Sequence, residues 1–241
     1  MLDFNALRER AKDFNITLND VQLQMFTDYA ALLAEYNEHT NLVASADTPT
    51  VIAKHFLDSL SLGLLAGEID FSGKLNIIDI GAGGGFPGVP LIMVFSEWKL
   101  CSVDSINKKM EFIRLLADKL GIADRVEALT KRAEELAKLP EKREKFDIAV
   151  ARAVGKLNLL AEYCLPFVRE GGYFVAYKAK LAEEELAEAE NALSILGGRH
   201  IETKTYVLPG GEERNLVLIR KIAPTPDRYP RNTGIPAKRP L

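Results

Sequence analysis

Asp79-Ile80-Gly81-Ala82-Gly83-Gly84-Gly85-Phe86-Pro87-Gly88 constrains this chain more than any other stretch. It follows directly on Leu75-Asn76-Ile77-Ile78, a short apolar run. An apolar run that ends in clustered glycines reads as a buried strand emptying into a turn too tight for side chains. Strand and helix patterns then alternate. Leu100–Asp104 reads as a second strand, and Asn107–Leu120 as a helix with Phe112, Ile113, Leu116, Ala117 and Leu120 on one face. Val126–Leu129 and Phe146–Ala151 read as strands three and four, Leu157–Val168 as a helix, Gly172–Lys178 as strand five, and Glu183–Leu196 as a helix with a solvated acidic face. Two last strands, about 200–208 and 214–221, join through Pro209-Gly210-Gly211, a hairpin signal. Strands separated by helices predict an α/β fold with a doubly wound, mostly parallel seven-stranded sheet of Rossmann-like type, closed by one antiparallel hairpin.

The first 65 residues differ. Val21, Met25, Phe26, Tyr29, Leu32, Leu33 and Tyr36 recur at helical spacing, with Asn19 and Asp20 where an N-cap belongs. Flanking helices at about 2–14 and 48–65 complete an N-terminal helical extension over 1–70. The sheet domain occupies 71–223, and a basic, proline-rich tail 224–241. No apolar run approaches the roughly 20 residues of a membrane span, and Met1-Leu2-Asp3-Phe4-Asn5 lacks a signal-peptide layout. Cys101 and Cys164 are too few for a disulfide framework, and no Cys/His cluster has zinc spacing. A metal-free, cytoplasmic, monomeric protein is expected. With a net charge of −3, any nucleic-acid binding must rest on local basic patches.

The glycine loop parses two ways. Gly83, Gly85 and Gly88 spell the dinucleotide fingerprint G-x-G-x-x-G; Gly81, Gly83 and Gly85 spell the acidic-x-G-x-G-x-G loop of S-adenosylmethionine enzymes. Asp104, ending the second strand, suits the ribose hydroxyls of either cofactor. Asp79 favours the second parse, because a carboxylate suits a cationic amino-acid end and opposes a pyrophosphate. Pro87 and Pro90 remove amide donors that a pyrophosphate would use. Glu134, in Arg132-Ala133-Glu134, is placed to border an adenine. Strand four runs into Ala151-Arg152-Ala153-Val154, not the Asp/Asn-Pro-Pro-aromatic stretch of many exocyclic-amine methylating enzymes, and no motif cysteine serves C5 chemistry. A ring nitrogen such as guanine N7 has a free lone pair and no proton to remove, so its methylation rests on positioning. Arg152 suits guanine O6 or a phosphate. An S-adenosylmethionine enzyme acting on protein or a small molecule, an NAD(P) oxidoreductase and a non-catalytic RNA-binding regulator stay open on these residues.

Longer motifs carry a resemblance over nearly the whole chain. Tyr36-Asn37 with Asn41-Leu42, His55-Phe56-Leu57-Asp58-Ser59-Leu60, the glycine loop, Arg132-Ala133-Glu134, Ala151-Arg152-Ala153 and the ending Arg228-Tyr229-Pro230-Arg231 through Gly234, Pro236, Lys238 and Pro240-Leu241 resemble the bacterial small-subunit rRNA guanine-N7 methyltransferase family, formerly called glucose-inhibited division protein B. Tyr36 stands where that family has tryptophan, and Ala179 after Lys178 where it has glycine. The resemblance implies a class I S-adenosylmethionine methyltransferase, with S-adenosylhomocysteine as product, acting on N7 of one guanine in the 530 loop of 16S rRNA, free or within a 30S particle. It implies that Gly81, Phe86, Asp104, Ala133, Glu134 and Arg152 line the cofactor site. Asp79, Gly83, Gly85, Ser102, Val103 and Arg132 complete the expected cofactor set. Arg152 and His55 are the expected catalytic residues, in positioning and not acid–base roles; the resemblance sets His55 and Asp58, which share a helix face, beside the active site. Lys108, Lys109, Lys178, Arg228, Arg231, Lys238 and Arg239 are expected RNA contacts. Tyr163 and Tyr173 read as packing residues.

Overall fold

The computed structural model describes residues 2–152, 155–179 and 183–241. Helix α1 (Phe4–Ala11) is capped by Asp3, and α2 (Asp20–Thr40) starts in a reciprocal capping box between Asn19 and Gln22. The third helical stretch is broken into α3 (Thr48–Val51), a π turn (Ile52–Phe56), α4 (Leu57–Leu60) and a 3-10 turn (Ser61–Leu65). Wide turns inside helices gather at functional sites, and this one carries Lys54 and His55.

Next come β1 (Asn76–Ile80), α5 (Gly88–Val94), β2 (Lys99–Asp104), α6 (Asn107–Lys119), β3 (Val126–Thr130), α7 (Ala133–Leu136), β4 (Phe146–Arg152), α8 (Leu157–Cys164), β5 (Val168–Lys178), α9 (Glu183–Leu196), β6 (Gly198–Val207), β7 (Glu213–Lys221) and α10 (Ile235–Lys238). Among the described residues the strands form one sheet in the order β3-β2-β1-β4-β5-β7-β6, parallel except where β7 runs against β5 and β6. The expected mixed seven-stranded architecture is therefore present.

Two expectations need correction. The helix from Leu157 stops at Cys164 and Val168 already belongs to β5. Pro166 has no amide proton and its ring clashes with the carbonyl four residues back, so the chain tightens into a 3-10 turn at Leu165–Phe167. The acidic face of α9 is also more than solvated: Glu185 accepts from the Leu157 amide and pairs with Lys178 at 2.7 Å, and Glu188 pairs with Lys156 at 2.8 Å.

One apolar core joins the N-terminal helices to one sheet face, through Leu7, Phe26, Leu33, Phe56 and Leu60 packed with Ile77, Leu100, Met110 and Phe112. A second core covers the other face with α8, α9 and Tyr229 of the tail. The tail is docked along its length. Lys221, fully buried, donates to Leu165 O and Thr225 Oγ1 and pairs with Glu144, Arg143 donates to the carbonyls of Thr225 and Tyr229, and Asn158 donates to the Leu241 carbonyl. Sheet order reverses at β1, flanked by β2 and β4. The carboxyl ends of these three strands thus open a crevice at the switch point, where open α/β sheets bind ligands.

Candidate active site at the switch point

A cavity of about 960 Å³ occupies that crevice. One half is walled by Ile80–Gly84, Val103–Ile106, Lys131–Glu134 and Tyr163; the other by Leu42, Val43, Lys54, His55, Asp58, Arg152, Tyr177, Lys178 and Arg214. Phe86 lies against it, 3% exposed, in a stack of rings: Tyr29 on one side at 5.2 Å and His55 at 4.8 Å. Tyr29, on the apolar face of α2, also donates its hydroxyl to Gly84 O. The helical extension therefore supports the glycine loop directly.

In the first half, Asp104 at the end of β2 accepts from the Gly83 amide (3.3 Å), the Ile106 amide (3.0 Å) and Lys109 Nζ (3.1 Å). Gly83 takes a positive φ of 58°, and an added Cβ would meet nothing nearer than Gly81 O at 3.8 Å, so it would stand in the cavity. Gly85 is different. Its φ is 97°, and a Cβ there would fall 2.6 Å from the Tyr29 hydroxyl, within the core. Gly85 is a packing glycine, absent from the cavity wall.

Asp79 and Ser102, neighbours across β1 and β2, are set back in the same way. Both are fully buried and neither borders the cavity. Asp79 spends one oxygen on the Gly88 amide at 2.8 Å, while its other oxygen and Ser102 Oγ have no partner among the described residues. Burial pushes the Asp79 carboxyl up to about 7, against the pull of the Gly88 amide and Arg152. Asp79 thus caps the turn into α5. With Gly88 N–H taken by Asp79, Val89 N–H by Gly85 O, and Pro87 and Pro90 lacking amide protons, no donor is left there for a pyrophosphate. That geometry disfavours the dinucleotide parse.

Glu134 is 3% exposed and accepts from the Gly234 amide at 3.1 Å, so the tail braces this wall. Val103, Arg132 and Ala133 lie beside it on the cavity surface, with Tyr163. Tyr163 reads from sequence as a packing residue, and nothing local marks it as a wall of the site.

The second half is built around Asp58, 4% exposed on α4. One oxygen accepts from Arg152 Nη1 at 2.9 Å, the other from the Tyr206 hydroxyl at 2.6 Å. Arg152 also donates to Lys54 O (3.2 Å), lies 3.2 Å from His55 Nδ1, and covers the Phe86 ring at 5.0 Å. Burial, then the Arg152 charge, then Lys54, bring His55 down to about 3, so its ring is neutral near pH 7. His55 and Asp58 thus meet the same arginine, as their shared face suggests. Ala153 and Val154, which follow it, lie outside the described residues. Cys101 is buried and its thiol is pushed up to about 12, which removes it as a thiolate nucleophile.

The expected RNA contacts divide. Lys108, Arg228, Lys238 and Arg239 are exposed. Lys109 is turned onto Asp104, and Lys178 onto Glu185 and Gly155 O. Arg231 is turned inward: its Nε lies 2.9 Å from Oε1 of Glu162, which is 1% exposed, so its charge is spent on a buried carboxylate. No described helix is long and apolar enough to cross a membrane, and no group of three or more His, Cys, Asp or Glu among the described residues is arranged to hold a metal ion.

Comparison with known proteins follows the same lines. The family model described as rRNA small subunit methyltransferase G matches residues 22–217. A ribosomal RNA small subunit methyltransferase G of Staphylococcus carnosus is 43% identical, over 98% of this chain and 97% of its own. One of Limosilactobacillus reuteri is 46% identical, over 95% of each. Among solved structures, a SAM-dependent O-methyltransferase of Thermotoga maritima superposes with a TM-score of 0.51 at 16% identity, covering 70% of this chain and 66% of that one. That last likeness is one of fold.

Proposed function

The chain belongs to the rRNA small subunit methyltransferase G family, and on that footing we propose that it transfers a methyl group from S-adenosylmethionine to N7 of one guanine in the 530 loop of 16S rRNA. Its substrate is then 16S rRNA, free or within a 30S particle, and it works as a cytoplasmic monomer. The observation that carries this reading is a cavity wall on which Asp58 fixes Arg152 beside His55, a histidine held neutral and only weakly basic.

The described residues fit the cofactor. Gly83 leaves its space open, and Asp104 presents a carboxylate at the rim for two ribose hydroxyls. Ala133 and Glu134, on the cavity wall, would border the adenine, and Phe86 supports the junction between the two halves. When bound, S-adenosylmethionine supplies an electrophilic methyl on a sulfonium and is released as S-adenosylhomocysteine. The remaining work is positioning. Arg152, locked by Asp58, Lys54 O and His55, offers its remaining guanidinium donors to guanine O6 and so holds N7 toward the methyl. His55 stays neutral and takes no proton, since N7 carries none.

Tritiated S-adenosylmethionine tests the reading. Label should enter 16S rRNA, as free RNA or as 30S particles from cells lacking this methylation, and not added protein. Label confined to protein or small molecules would overturn it.

A further inference from the structure

We propose that Arg214 contacts a phosphate of the target strand at the mouth of the acceptor half, an inference that rests on the RNA reading above. Arg214 is invisible to motif reading. It is the second residue of β7, the return strand of a hairpin, directly opposite Tyr206 on β6. Cross-strand partners project to the same face of a sheet. Arg214 therefore reaches the cavity beside the tyrosine that holds Asp58.

Among the described residues, charge accounting in this half isolates it. Arg152 meets Asp58 at 2.9 Å, Lys54 meets Glu212 at 2.6 Å, and Lys178 meets Glu185 at 2.7 Å. Each of these cations has its own carboxylate. Arg214 comes no nearer than 4.0 Å to Asp58, and that oxygen already accepts from Tyr206 at 2.6 Å. Its single hydrogen bond among the described residues runs from Nη1 to the carbonyl of Glu213, which leaves Nε and Nη2 unengaged. The side chain is about one-fifth exposed, enough to reach an incoming group and enclosed enough to strengthen the contact. A planar fork of free donors carrying the surplus positive charge of a basic pocket matches the oxygens of a phosphodiester. The same charge is unsuited to the S-adenosylmethionine sulfonium, which belongs to the opposite half.

The test compares wild type, Arg214→Gln and Arg214→Lys, in binding to whichever of free 16S rRNA and 30S particles the wild type labels, across several salt concentrations. S-adenosylhomocysteine affinity is measured alongside. Arg214→Gln should bind RNA roughly tenfold more weakly at moderate salt and lower the slope of log K against log salt by about 0.7, one phosphate contact. S-adenosylhomocysteine affinity should stay within about twofold. Arg214→Lys should restore the slope while recovering affinity only in part, because it keeps the charge and loses the fork. An unchanged slope in Arg214→Gln, or equal loss of RNA and S-adenosylhomocysteine binding, overturns the proposal. If the wild type labels neither RNA nor particle, the functional reading itself fails and the proposal goes with it; if the wild type labels RNA and the slope does not move, the proposal fails alone.

Discussion

His55 shows how a neighbour decides what a side chain can do. Its ring is stacked on Phe86 and faced by the Arg152 guanidinium, so protonation is opposed by burial and then by charge, and it titrates near 3. An unfolded histidine titrates near 6.5. Between these values the unfolded chain binds a proton that the folded chain does not. Stability contributed by the neutral ring is therefore complete above about pH 6.5 and is lost as pH falls toward 3. Chemical denaturation of wild type and His55→Gln at pH 7.5 and pH 5 should show the wild type losing about 1–2 kcal/mol more than the variant. Catalysis should be flat in kcat from about pH 6.5 to 9; an acidic limb near the ordinary histidine value would make His55 an acid or base. Asp104 gives a second prediction. Asp104→Ala removes a charged acceptor at the cavity rim, and such a hydrogen bond contributes about 1.5–3 kcal/mol. Calorimetry should find S-adenosylmethionine bound roughly 10- to 150-fold more weakly, while an unaltered affinity would move the ribose elsewhere.

Strands and helices were legible from spacing because each has a strong apolar period: β1, β2 and α6 fall where alternation and glycine placement put them. What the chain's local pattern hides is anything that depends on distant partners. Asp79 and Gly85 satisfy the loop motif and Ser102 lies beside Asp79 on β2, yet packing against Gly88, Tyr29 and the neighbouring strand turns them inward. Arg214 reaches the site through strand pairing across a hairpin, and Tyr163 through the placement of α8 beside α7. The tail illustrates the same point for a whole element. Its basic composition suggests RNA, whereas Arg231 closes on buried Glu162, Lys138 holds Asn232 at 2.8 Å, and Gly234 holds Glu134. Removing Arg231 leaves a carboxylate buried without its cation, a loss of about 3 kcal/mol. Arg231→Ala should therefore lower the urea midpoint and weaken cofactor and RNA binding together, with the salt slope unchanged. A flattened slope at full stability would return Arg231 to the RNA surface.

At the scale of the molecule, each element is positioned by another's chemistry. The helical extension supplies His55, Asp58 and Tyr29, the sheet supplies Asp104 and Arg152, the hairpin supplies Tyr206 and Arg214, and the tail closes on Glu134. In the proposed reading a cofactor half and an acceptor half meet at Phe86, and among the described residues His55, stacked on that ring, is too weak a base to take a proton near pH 7. The central claim is thus a transfer to a nitrogen that already carries a lone pair. Borohydride reduction followed by aniline cleavage breaks RNA at N7-methylguanine, and primer extension reads the position. Applied to 16S rRNA from cells lacking the protein, before and after incubation with it and S-adenosylmethionine, the method should reveal one new cleavage, at a guanine of the 530 loop. Methyl incorporation into the RNA with no new aniline-sensitive guanine would contradict the account.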